Sequence, residues 1–412
     1  MLSSNRTIGL LKFRNGKTEM TQKLVRFGVI GIGNMGSVHA RNIPTLRNCR
    51  LTAVCDCDPA AFDRLDPALR AAVRCHAAAE ELCRDPEVDV VLIAVPHYFH
   101  VDMAIEAMRN GKHVLVEKPI AVHKADAERL LAESAKHPEL VRSLMFNQRT
   151  LSAHVKVKRM LERGELGRLH RVCWCVTNWF RTQHYYDSGD WRASWRGEGG
   201  GVLLNQCPHQ LDLFQWFFGM PERVRASAKL GKYHDIEVED EVNAYMEYAD
   251  GMTANFITGT GESPGINRLE IIGERGLLTL ENGQIRFRRN EVETSEFSRT
   301  SKSSFAPPEF WECAIPTAPD LGGSGHKAII ENVAAAVLGE AELIAPLEEG
   351  IRGLELGNAM LFSGLNDVTV TLPLDSRAYA EMLEKLVRGS RWHRKAPAGG
   401  AAADPNEFNN SF

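Results

Sequence analysis

The sequence lacks the features that mark membrane-spanning, secreted or nucleic-acid-binding chains. No apolar run reaches the roughly 18 residues that suggest a membrane span. The first twenty residues break short apolar pairs with Arg6, Lys12, Arg14 and Lys17, so a signal-peptide core is not expected there. They are read as a loose extension, with Met20 as an alternative start. The formal net charge of −4 leaves no basic footprint for nucleic acid. Nine cysteines are scattered with no C-x-x-C pair, which predicts reduced, cytoplasmic thiols and neither a disulfide frame nor a metal site. No internal repeat is present. The chain has 412 residues of ordinary composition, enough for two domains.

The first half carries a dinucleotide signature. "VRFGVI" (25–30) reads as a buried strand, "GIGNMG" follows, and "SVHARNI" looks helical. Gly31, Ile32, Gly33, Asn34, Met35 and Gly36 form the candidate phosphate loop. Gly31 permits the tight turn, Gly33 lets a pyrophosphate approach the backbone, and Gly36 lets helix and strand pack closely. A second strand, "RLTAVCD", ends at Asp56. A carboxylate there accepts from both ribose hydroxyls and repels a 2′-phosphate, so the predicted cofactor is NAD, with nearby Arg64 as the one feature favouring NADP.

Strands and helices then alternate, which predicts a doubly wound parallel sheet. Ligands bind beyond the carboxyl ends of such strands. "VPHYFH" falls there with Pro96, His97 and His100, and so does "EKP" with Glu117, Lys118 and Pro119. Beside an oxidised nicotinamide, Lys118 would meet another positive charge, lose affinity for its proton and suit proton transfer. From the residues alone, a surface lysine paired with Glu117 is an equal alternative.

The second half holds period-two segments from "LHRVCWCVTNWF" to "GLLTLENG", which suit an antiparallel sheet with one face on helices. Within "GGGVLLNQCPHQLDLFQWFFG", Asn205, His209 and Asp212 fall at i, i+4 and i+7 of an otherwise apolar helix. Buried polar groups need partners, from a ligand pocket or a core network. Pro208 is expected to kink this helix near Leu204 or to restart it. Arg149, Tyr186, Trp191 and Arg192 are candidates, with Asn205, for orienting a substrate; aromatics beside donors suit a sugar ring. Tyr185 and His184 lie in the same stretch, and His326 near a helix start either reaches the site or caps. Residues around 290–324 are read as a long loop.

"GIGNMG", "AVCD", "VAVPHYFH", "GKHVLVEKP" and "GGGVLLNQCPHQLD", in this order, resemble the glucose–fructose oxidoreductase / inositol dehydrogenase / rhizopine catabolism (Gfo/Idh/MocA) family. The resemblance implies a Rossmann domain followed by an α/β domain on a large open antiparallel sheet. It implies hydride transfer between NAD(P) and a ring carbinol of a sugar, glycoside or cyclitol. By that resemblance Lys118 and His209 flank the reacting hydroxyl. Many members have an aspartate where this chain has Asn205, which puts a carboxylate–histidine relay in doubt. The expected division is a flexible extension (1–22), an NAD-binding domain (23–147), a substrate-binding and oligomerisation domain (148–392) and a disordered tail (393–412). Two alternatives are an NAD-dependent glycosidase, which needs a further base such as His184, Tyr185 or Tyr186, and a non-catalytic NAD-linked sensor, against which Lys118 and His209 argue. Val172, Trp174, Val176, Tyr245 and Met246 are expected to divide between two sheet faces and to leave an apolar patch, covered in a homodimer or in a homotetramer of dimers.

Overall fold

The computed structural model describes residues 23–189, 191–318 and 324–391. The expected N-terminal extension (1–22) and C-terminal tail (393–412) lie outside the described residues.

Strands β1 (Val25–Ile30), β2 (Cys49–Cys55), β3 (Arg74–His76), β4 (Val90–Ile93), β5 (His113–Val116) and β6 (Arg142–Leu144) form a parallel sheet in the order β3-β2-β1-β4-β5-β6. The core of β1, all of β4 and most of β5 are buried, as strands covered by helices on both faces must be. The order reverses between β1 and β4. The carboxyl ends of β1, β2, β4 and β5 therefore open on one crevice, which receives the glycine loop, Asp56, the 96–100 turn and Lys118.

A second sheet has nine strands: β7 (Leu169–Val176), β8 (Arg223–Leu230), β9 (Glu239–Glu247), β10 (Thr253–Gly259), β11 (Asn267–Gly273), β12 (Gly276–Glu281), β13 (Gln284–Asn290), β14 (Phe310–Ile315) and β15 (Val370–Thr371). Their order is β14-β13-β12-β11-β7-β10-β9-β8-β15. The sheet is mixed rather than wholly antiparallel, because β7 and β10 run parallel. The expected loop at 290–324 also needs correction: its described part includes a helix, Thr294–Thr300, and the edge strand β14 paired to β13.

One sheet face packs on the Pro208–Phe218 and Gly350–Asn366 helices; Trp174 stacks 6.3 Å from both Phe214 and Phe217. Val172, Trp174, Val176 and Met246 all lie on this covered face, and only Tyr245, 40% exposed, points the other way. The expected division of apolar groups is thus corrected: alternation places the large ones inward. The open face carries ion pairs such as Arg268 with Glu270 and Glu281, among Cys173, Cys175 and Ile257.

The chain later returns to the first sheet. Leu144 N and Ser143 Oγ donate to the Ala345 carbonyl at 3.0 and 2.8 Å, and Ser143 bridges to Pro346.

Candidate active site

The turn after β1 is built for close approach. Gly31 has φ +88°, and a Cβ there would lie 2.5 Å from the Ala94 carbonyl oxygen. A Cβ on Gly36 would lie 1.7 Å from the Gly31 oxygen, so helix and turn touch there. Gly33 differs: a Cβ would meet nothing within 4 Å. It opens the Asn34–Asn42 helix, which has no side-chain cap and no acid in its first turn. An open cradle before an uncapped helix N-terminus fits a pyrophosphate. Asn34 and Met35 are half-buried in that first turn, and Ile32 is buried.

Asp56 is fixed by main-chain donors. Its Oδ2 accepts from Ile32 N at 2.7 Å and its Oδ1 from Asp58 N at 2.9 Å. A carboxylate has about four acceptor sites, so room remains for ribose hydroxyls. Arg64 Nη1 reaches the Ile32 carbonyl at 3.3 Å, on the rim of the same crevice.

Three of the residues expected at the cofactor are committed to the scaffold. The ring nitrogens of His100 face the Pro119 and Val95 carbonyls at 2.7 and 2.8 Å, so His100 ties the two loops together rather than offering a free hydrogen bond. Glu117 Oε1 lies 2.6 Å from His39 Nε2, and its Oε2 accepts from Lys118 N at 3.1 Å. Burial opposes its ionisation, but the His39 contact holds the carboxyl below its ordinary range. Pro96 starts the turn that buries His97. The Nδ1 of His97 has no hydrogen-bond partner among the described residues. Burial, then the charges of His100 and Lys118, push that imidazole well below its ordinary value.

Lys118 Nζ donates to the main-chain oxygen of Asn205 at 2.8 Å. Burial lowers its proton affinity; Glu117 opposes the shift and Arg192 adds to it. Asn205 does not share a helix with His209. Pro208 takes the first helical position, so the helix begins there and Asn205 belongs to the preceding turn. The expected stripe is corrected accordingly, and the restart anticipated at Pro208 is the outcome. The Asn205 amide donates to Glu198 Oε1. Glu198, 2% exposed, also accepts from Ala193 N at 2.6 Å. Burial raises its pKa, against the pull of Arg192. In the sequence Glu198 is signalled only as a lone acid between Gly197 and Gly199, which does not mark it as a site residue.

The turn carrying Asn205 rests on Glu239, whose Oε1 accepts from Gly201 N and Leu203 N at 2.9 and 3.1 Å. Burial pushes the Glu239 carboxyl up to about 7, against those hydrogen bonds. His209 is 1% exposed in the first turn of its helix. Burial, then the Lys118 charge, push it well below its ordinary value, and the helix N-terminus acts in the same direction.

Arg149 is not available to orient a substrate. It is buried, its Nε and Nη2 grip Asp212 at 2.8 and 2.6 Å, and Nη1 pairs with Glu349. Asp212 is thereby accounted for as a core partner. Tyr186 is also withdrawn from the expected set: it is buried, and its hydroxyl donates to Thr260 Oγ1 at 2.9 Å. Trp191 stands edge-on to His97 at 5.3 Å, and Arg192 lies 4.7 Å from the Trp191 ring and donates to Tyr185 Oη at 2.7 Å. His326 opens its own helix, lies 5.4 Å from the His39 ring and 3.2 Å from Asn147 Nδ2, and is pushed down to about 4 by burial and by His39.

Two family models match: an oxidoreductase-family, NAD-binding Rossmann fold over residues 25–144 and a GFO/IDH/MocA C-terminal domain over residues 154–279. A dehydrogenase of 1-carboxy-3-chloro-3,4-dihydroxycyclohexa-1,5-diene from Comamonas testosteroni is 30% identical over 235 residues, 56% of this chain and 57% of that one. The chain thus spans little more than half the length of that relative. The match to scyllo-inositol 2-dehydrogenase (NAD(+)) from Bacillus subtilis is 24% identical and covers 87% of this chain and 99% of that one. Among solved structures, the WlbA dehydrogenase from Bordetella pertussis, in complex with NADH and UDP-GlcNAcA, superposes with a TM-score of 0.70 at 25% identity, covering 85% of this chain and 100% of that one. With both halves matched, the glycine loop open to a dinucleotide and the two-sheet architecture shared, the chain belongs to the GFO/IDH/MocA family of NAD-binding oxidoreductases.

Proposed function

We propose that the protein oxidises, or in reverse forms, a ring carbinol of a small polyhydroxylated substrate: a sugar, glycoside or cyclitol. The observation that carries this reading is the Lys118 ammonium, fixed at the mouth of the crevice by the Asn205 carbonyl and close enough to His209 to depress its pKa. The reactions named for the Comamonas and Bacillus relatives, on a ring diol and an inositol, support the substrate class.

NAD, when bound, supplies the hydride acceptor. Lys118, held by the Asn205 carbonyl, directs its ammonium charge at the substrate oxygen and stabilises the negative charge that develops there. His209, held neutral by burial, accepts the hydroxyl proton at a ring nitrogen. Trp191 and Arg192 line the substrate side, with Asn205 acting through its backbone. The glycosidase alternative needs a further base: the Tyr186 hydroxyl is spent on Thr260, whereas Arg192, donating to the Tyr185 oxygen, leaves Tyr185 eligible, and His184 is exposed. We place the protein in the cytoplasm, since all nine cysteines are free thiols. Among the described residues no helix is long and apolar enough to cross a membrane. A homodimer or homotetramer would cover the open sheet face, on which Cys173, Cys175 and Ile257 are only half-exposed.

Incubating the protein with NAD and a panel of cyclitols, aldoses and glycosides, and following reduced nicotinamide, tests the reading. Reduction with at least one ring polyol is expected. Full NAD binding with no reduction across the panel rejects it.

A further inference from the structure

Two guanidiniums converge on one aromatic ring beside the reacting lysine. Arg181 and Arg192 place their central carbons 5.1 and 4.6 Å from the centre of Tyr185. Arg181 also lies 5.6 Å from the Trp179 ring. The Tyr185 hydroxyl receives Arg192 at 2.7 Å and Gln206 Nε2 at 3.4 Å. Gln206 directly follows Asn205, the residue that anchors Lys118. The arginines are therefore tied to the reacting end of the crevice through two short links. Their charges are felt there, since both lower the proton affinity of Lys118.

Neither guanidinium forms a salt bridge among the described residues. Arg181 donates to its own neighbour, the Phe180 carbonyl, at 2.9 Å, and Arg192 to the Tyr185 hydroxyl. Glu198 feels the Arg192 charge but gives its hydrogen bonds to Ala193 N and Asn205 Nδ2, and Glu117 gives its own to His39 and Lys118 N. The same wall holds a buried indole N–H without a partner among the described residues, Trp179 Nε1, on a residue 6% exposed. A neutral polyol would leave this excess of donors and positive charge unmatched. Guanidinium forks match carboxylate and phosphate groups in geometry and charge.

We propose that the substrate ring carries an anionic group, a carboxylate or a phosphate, received by Arg181 and Arg192 while its reacting hydroxyl meets Lys118 and His209. This rests on the reaction proposed above and narrows its substrate class to sugar acids or sugar phosphates.

The test is calorimetry on the NAD-loaded protein with D-glucuronate, D-glucose 6-phosphate and D-glucose, and with the matching galactose set. One anionic member should bind at least roughly tenfold more tightly than its neutral parent, as expected of a charge-assisted contact. That advantage should shrink with added salt. It should fall towards one in Arg181→Gln and Arg192→Gln. The relative affinities of uronate and phosphate identify which anion is read. If no anion binds, if the neutral parents bind as tightly, or if both variants keep the advantage, the proposal is overturned. The salt series on the unsubstituted protein decides the matter even if a variant does not fold. Reduced nicotinamide is followed in parallel: an anion that binds without being oxidised leaves this site standing and rejects the reaction, whereas oxidation of neutral sugars with no anion preference does the opposite.

Discussion

Lys118 Nζ lies 2.8 Å from the carbonyl oxygen of Asn205, and the side chain of that same asparagine holds Glu198. One residue therefore positions the reacting ammonium through its backbone and a buried carboxylate through its amide. The crevice of the first sheet is joined to the second half of the chain at the ammonium proposed to meet the reacting oxygen.

Removing either the Lys118 ammonium or the His209 base should slow turnover without emptying the dinucleotide site. Lys118→Ala and His209→Ala are each expected to lower kcat by roughly 10²- to 10⁴-fold. NAD affinity, measured by calorimetry, should change far less. A variant that keeps near-normal kcat while chemistry limits the rate removes that residue from the mechanism.

Asn205→Asp places a second carboxylate against Glu198. Added negative charge favours the ammonium form of Lys118, so the limb of the kcat/KM profile that Lys118 controls should move to higher pH. Introducing Glu198→Gln into that variant should reverse much of the shift. Superimposable profiles for all three proteins would show that this carboxylate is not sensed at Lys118.

Asp56→Ala should weaken NAD by about 1.5–3 kcal/mol, the usual worth of hydrogen bonds to a charged group. NADP should be affected much less, because its 2′-phosphate gains from removal of the acid while Arg64 remains nearby. Equal losses for the two dinucleotides would move the ribose away from Asp56.

Glu239 links pH to stability. Its folded pKa of about 7 lies above the ordinary value of 4.5. The folded state therefore holds this proton more tightly, and the associated stability is fully present below about pH 4.5 and lost as pH rises through about 7. The slope is at most about 1.4 kcal/mol per pH unit. Glu239→Gln keeps an oxygen for Gly201 and Leu203 and should flatten this dependence. Thermal unfolding at pH 5 and pH 8 measures it; the same offset between variant and parent at both values would contradict the assignment.

Arg149 is expected to matter for folding rather than recognition. Arg149→Met leaves Asp212 buried without its partner, a change that costs about 3–5 kcal/mol. Urea unfolding should show the loss. A variant of unchanged stability and raised KM would restore Arg149 to the substrate site.

The parts legible in the sequence were those written in local chemistry. The glycine loop, Asp56 and the Glu117–Lys118 pair each lie at the end of a short apolar run, and ligand-facing strand ends are fixed by that pattern. Contacts between distant segments were not legible. Nothing around Arg149 announces Asp212, 63 residues away. A helical period runs from Asn205 to His209 in the sequence, yet Pro208 starts the helix that bears His209 and leaves Asn205 outside it. Strand β14 escaped because Phe310, Trp311 and Glu312 are all exposed, so an edge strand shows no alternation.

The return of Ala345 and Pro346 to β6 fixes an order of events during synthesis. A ribosome releases the first six strands well before it makes the segment that closes their outer edge. Until then the backbone of β6 has one neighbour, and its other side stays available to foreign strands. That edge of the first sheet is completed by the last quarter of the chain, whereas the β3 edge has, among the described residues, only β2 beside it in the finished fold.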